Sequence, residues 1–184
     1  MTSLRATVAT AAAIAIFSPV AHAQAPTRQS GPVVTNFGAV YAIDRPDIPT
    51  PPDLSYRAVF EVRLAPDDVG ALNRRIETVA RYLNMHAQAG VPNENVHAAL
   101  VIHGPAGRAL LSHDAYRKKY GVDNPDRDLI AALAQAGVDV VMCGQTAMSR
   151  GFYPELLVPE AKVALSAMTA LVRYQADGYG LIAF

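Results

Sequence analysis

Two runs, VHAALVI (Val96–Ile102) and VDVVM (residues 138–142), are almost wholly apolar and too short for buried helices. A strand is apolar on both sides when both faces of its sheet are covered, the situation of a parallel sheet between helical layers. Helix patterns lie between such runs, which points the same way, because parallel neighbours need long crossover connections. Residues 56–62 (YRAVFEV) form an earlier β-rich run. After it, Pro66 and Asp67-Asp68 read as the start of a long helix with Val69, Leu72, Ile76, Val79, Tyr82 and Leu83 on one face. Gly90 stops it.

Two short helical stretches are expected at 106–112 and 114–120. A helix then opens at Asn124-Pro125-Asp126, buries Leu129, Ile130 and Leu133, and ends at Gly137. Beyond Cys143-Gly144-Gln145 a helical turn reaches Arg150-Gly151. A brief strand at 162–164, an amphipathic helix at 166–177 and a last strand at 179–182 complete the pattern. The expectation is an α/β fold: an open, mostly parallel sheet of about five strands with helices on both faces.

The N-terminus has a different logic. Arg5 precedes an apolar stretch over residues 6–20, and Ala21-His22-Ala23 offers the small-x-small pattern cut by a signal peptidase. The stretch is short of the roughly 20 strongly apolar residues of a membrane span. Residues 1–23 are therefore expected to be a cleaved signal, giving a periplasmic or secreted protein with no membrane contact after cleavage. Losing Arg5 leaves 15 basic against 16 acidic residues, a net charge of −1. That balance offers no basic footprint for nucleic acid. Residues 24–55 form a Pro-rich arm in which Pro46, Pro49, Pro51 and Pro52 forbid regular helix. Its apolar residues, Val33, Val34, Phe37, Val40 and Tyr41, suggest that it docks on its own domain or on a neighbouring subunit. Residues 56–184 are the α/β domain.

Sites in open parallel sheets form outside the carboxyl ends of the strands. Two polar breaks fall there: His103-Gly104-Pro105 after one run and Cys143-Gly144-Gln145 after the other. They meet only if those two strands are neighbours. Cys143 is the single cysteine, so it cannot pair within the chain. It precedes a helical turn whose backbone N–H groups favour an anion, and Gly144 allows close backbone approach. A lone cysteine closing an apolar strand is equally what a buried small hydrophobe looks like, so both readings stand. A metal site built from Cys143 and His103 would lack ligands. Walker, dinucleotide-binding and nucleophile-elbow motifs are absent from the sequence.

Taken in order, YRAVFEV, VHAALVIHGPAGRALL, NPDRDLIAALAQAGVDVVMCGQTAMSRG and VALSAMTALVRYQADGYGLIAF resemble the DsrE/DsrF-like family over roughly residues 56–184. The signal and Pro-rich arm make the likeness greatest to its exported branch. The resemblance implies a flavodoxin-like sandwich, homotrimers or homohexamers, and a persulfide carried on one cysteine and passed to a partner. Mapped here, that cysteine is Cys143, with His103, Gly104, Gly144, Gln145 and Arg150 around it. The expected function is then periplasmic sulfur handling that needs no metal or organic cofactor. Its partners would be a sulfur donor or acceptor protein or a small thiol. The alternative is a non-catalytic oligomeric module that binds a small ligand or partner and uses Cys143 for packing.

Overall fold

The computed structural model describes residues 25–183, so the expected signal at 1–23 lies outside the described residues. Five strands, β1 (Tyr56–Val62), β2 (Val96–Ile102), β3 (Asp139–Cys143), β4 (Ala161–Ala164) and β5 (Gly180–Ala183), form one sheet. Its order is β4-β3-β2-β1-β5, and every pairing is parallel. The helices are α1 (Arg74–Gln88), α2 (His113–Tyr120), α3 (Arg127–Gln135), α4 (Gly144–Arg150) and α5 (Ala167–Ala176), with a 3-10 stretch over Gly104–Leu110. The three-layer α/β architecture expected from the apolar runs is the one observed.

The two layers are unequal. On one face, Ala58, Phe60, Val62, Leu100, Ile102, Val140 and Met142 pack against Ile76, Val79 and Leu83 of α1 and Leu129, Ile130 and Leu133 of α3. The alternate residues Val59, Ala99, Val101, Val141 and Cys143 turn to the opposite face, where Ala167 and Ala170 of α5 meet them. A ten-residue helix is about 15 Å long, and five strands span roughly 19 Å. α5 therefore carries the chain from the β4 edge to the β5 edge by crossing the whole sheet alone.

The first helix begins later than its acidic start suggested. Asn73, not Asp67 or Asp68, is the N-cap: its side chain accepts from the Arg75 N–H at 3.1 Å. Asp68 is spent on the Gly70 N–H (2.8 Å). The intervening loop is tied down by Arg108, which donates to the Pro66 carbonyl, and by the Tyr116 hydroxyl on Val69 O (2.7 Å). Local acids gave a helix-start signal, and long-range hydrogen bonds overrode it.

The arm lies on its own domain. Asn84 on α1, fully buried, accepts the Val34 N–H at 2.8 Å. Its amide group reaches the carbonyls of Val34, Phe37 and Gly38 at 2.9–3.1 Å. Gly38, at φ +70°, passes so close to α1 that an added Cβ would sit 2.5 Å from the Ala80 carbonyl carbon. Val34 is consequently 2 % exposed and belongs to the main core.

Candidate functional site at the carboxyl ends of β3 and β4

Chain direction creates the site. After β3 the chain turns to the face of α1 and α3, since Ala147 of α4 and Phe152 join that core. After β4 it turns to the other face as α5. Adjacent parallel strands whose exits diverge leave a crevice between them, and Cys143 occupies it. Gly144 keeps the crevice narrow: a Cβ there would lie 2.6 Å from the Ala164 carbonyl oxygen, so only glycine fits.

Two helix starts converge on the sulfur. Cys143 is the N-cap position of α4, and Ser166, whose hydroxyl accepts from the Thr169 N–H at 3.0 Å, caps α5. Burial pushes the Cys143 thiol up, since the residue is only 5 % exposed. The N–H groups of Thr146, Ala167 and Gln145 and the Thr146 hydroxyl, all of which favour a thiolate, outweigh that push. The net effect holds the thiol below its ordinary value, because donors aimed at a thiolate favour the charged form.

Thr146 joins the two strand-end loops. Its Oγ1 accepts the Gly104 N–H at 2.9 Å, which leaves the hydroxyl hydrogen free to donate to sulfur. Gly104, at φ +58°, is thus hydrogen-bonded into the Cys143 surroundings through one side chain. β2 and β3 are neighbours with Ile102 opposite Met142, so His103 follows at the level of Cys143. Its Nε2 pairs with Glu61 Oε1 at the end of β1. The Gln145 side chain reaches the Leu165 carbonyl at 3.3 Å. Arg150 is elsewhere. It ends α4, about 10 Å along the helix from its start, and stands on the side of Tyr120. Burial raises the Tyr120 phenol, and Arg150 opposes that push.

Three contributors were missing from the residue-level reading: Glu61, Thr146 and Ala167. Among the described residues no three His, Cys, Asp or Glu side chains come together as a metal site. No helix among them is long and apolar enough to cross a membrane.

A model of the DsrE/DsrF-like family matches residues 59–184. The chain belongs to that family. The match takes in all of the sheet except the first residues of β1, together with the His103 and Cys143 loops of this DsrE-like domain. No curated protein matches the chain. Among solved structures, it is similar to a protein of unknown function, MTH1491, from Methanobacterium thermoautotrophicum. That likeness has 22 % identity and a TM-score of 0.49, and covers 71 % of this chain and 100 % of the other.

Proposed function

We propose that this DsrE-like protein is an exported, homo-oligomeric sulfur carrier. In this reading the Cys143 thiolate attacks a sulfane sulfur, holds it as Cys–S–S⁻, and donates it to a small thiol or a partner protein. The observation that carries the reading is the place of Cys143: at the start of α4, in the crevice between the diverging exits of β3 and β4, with its thiol held below the ordinary value by the surrounding Thr146, Ala167 and Gln145 groups. An anion-favouring setting is what a nucleophile or a stored persulfide uses. The transfer is redox-neutral and calls for no metal or organic cofactor. The periplasmic or secreted location rests on the signal pattern in residues 1–23. Assembly into a trimer or hexamer is supported by the apolar side chains that α5 leaves in solvent.

The test is the pH dependence of Cys143 alkylation by iodoacetamide, with intact-mass analysis of untreated protein. The expected result is an apparent pKa below the thiol reference of about 8.5 and an adduct of about 32 Da, one added sulfur. Thr146→Val removes the hydroxyl donor and should raise that pKa by about one unit, since a hydrogen bond to a charged group is worth about 1.5 kcal/mol or more. A slow thiol that titrates at or above the reference, with no adduct, would sink the reading. It would leave a binding module with a packed cysteine, the reading that the 5 % exposure of Cys143 favours.

A further inference from the structure

Glu61 was not chosen for its chemistry by any local motif, yet it stands at the carboxyl end of β1 within the same row as the cysteine. Val59, Val101, Val141 and Cys143 share the α5 face of the sheet. Side chains alternate along a strand, so Glu61, two residues beyond Val59, faces that way too. His103 is two residues beyond Val101, with extended backbone at φ −148° and ψ 179°, and also faces that way. The contact of His103 Nε2 with Glu61 Oε1 agrees with this placement. Three adjacent strands thus bring a carboxylate, an imidazole and a thiol to one face of one sheet edge. The two ring partners are about one-fifth exposed, at 23 % for His103 and 20 % for Glu61, so the pair is reachable from solvent.

An ionised carboxylate only accepts hydrogen bonds. Its partner nitrogen, Nε2, must therefore carry hydrogen, which leaves Nδ1 as the nitrogen available for proton exchange. Other charged groups nearby are few. Arg63 follows β1, with its Cγ 3.2 Å from where a Cβ on Gly104 would lie. The first turn of α5, the end of β4 and β5 carry no ionisable side chain, and Arg150 sits at the far end of α4.

We propose that Glu61 and His103 form a proton-relay dyad beside Cys143, and that the substrate is a hydropersulfide, R–S–SH. This rests on the sulfur-carrier reading. Cys143–S⁻ attacks the terminal sulfur, the R–S to S bond breaks, and RS⁻ leaves. His103 takes the proton from the new Cys143–S–SH and delivers it to RS⁻. The net reaction, Cys143–S⁻ plus R–S–SH giving Cys143–S–S⁻ plus R–SH, balances in atoms and electrons. Glu61 acts through His103 and is a positioning residue.

The experiment follows the rate of sulfur loading of Cys143 by cysteine hydropersulfide across pH 5–9, read by intact mass, for wild type, Glu61→Gln and His103→Gln. Each variant is also alkylated with iodoacetamide, which needs no relay, and the His103 ring tautomer is read by ¹⁵N NMR in wild type and Glu61→Gln. General acid–base assistance is worth about 100-fold or more. Both variants should therefore load at least tenfold more slowly relative to their alkylation rate, with an altered pH profile. The wild-type ring should be the Nε2–H tautomer and should lose that preference in Glu61→Gln. If wild type loads and Glu61→Gln loads equally with the same profile, the dyad is overturned and the carrier reading stands. If wild type takes up no sulfur, the carrier reading itself falls and the dyad falls with it.

Discussion

Asp126 shows how a single buried carboxyl sets a pH response. It is 3 % exposed and accepts the Asn73 N–H at 2.7 Å, while its own N–H donates to Asn124 Oδ1 at 2.9 Å. Burial pushes its carboxyl up to about 6, and the Asn73 hydrogen bond and Arg108 only partly oppose that. The ordinary value is 3.8, so the folded state holds the proton more tightly than the unfolded chain between those pH values. The associated stability is present at low pH and is lost as pH rises through about 6. Urea unfolding should then lose up to about 3 kcal/mol between pH 4 and pH 7 from this group. Asp126→Asn should remove that part of the slope. Equal slopes for the two proteins would exclude Asp126 as its source.

At the scale of elements, α1 and the arm are held together by one buried side chain. Asn84 replaces water for four backbone groups of residues 34–38, and its amide hydrogens are shared among three carbonyls. Asn84→Ala strips those partners. Each orphaned buried group costs about 1–3 kcal/mol, so the arm should peel away rather than stay dry. The expected result is rapid proteolysis within residues 25–55 while the α/β domain remains folded; an arm as protected as in wild type would refute it. Elements also show what a sequence can convey. YRAVFEV and VHAALVI became β1 and β2, and VDVVM overlaps β3, because each run buries consecutive apolar residues on both faces, which is a local property. The cradle for Cys143 was only half legible. Gly144 and Gln145 adjoin the cysteine, but Ala167 arrives from a helix beyond the next strand. Glu61 acquires its partner only once β1 lies beside β2. One hint was present: Glu61 is a charge at the carboxyl end of the β-rich run, between the buried Phe60 and Val62. Arg150, near in sequence, is carried off by the length of α4.

At the scale of the whole molecule the unequal layers matter most. The face of α1 and α3 is closed, and the arm adds to it. Among the described residues the other face is covered by α5 alone, which leaves Leu165, Met168, Val172 and Leu181 exposed, Met168 by 75 %. Apolar groups gathered on one surface are the usual mark of an interface, which supports the proposed homo-oligomer. Light scattering should return a mass of at least two chains, and Met168→Glu should shift the protein toward the single-chain mass while its circular dichroism stays that of a folded chain. A wild-type protein with the mass of one chain would dispose of the assembly.

The strand order β4-β3-β2-β1-β5 carries a consequence for biogenesis. β1 is made first among the strands, yet its outer edge is paired only by β5, the last. Throughout synthesis that edge stays open, a template for pairing with another chain, until α5 has swung across the sheet. The same helix delivers the Ala167 amide to Cys143. On the sulfur-carrier proposal, a nascent chain therefore lacks the complete setting of its thiol until α5 has docked.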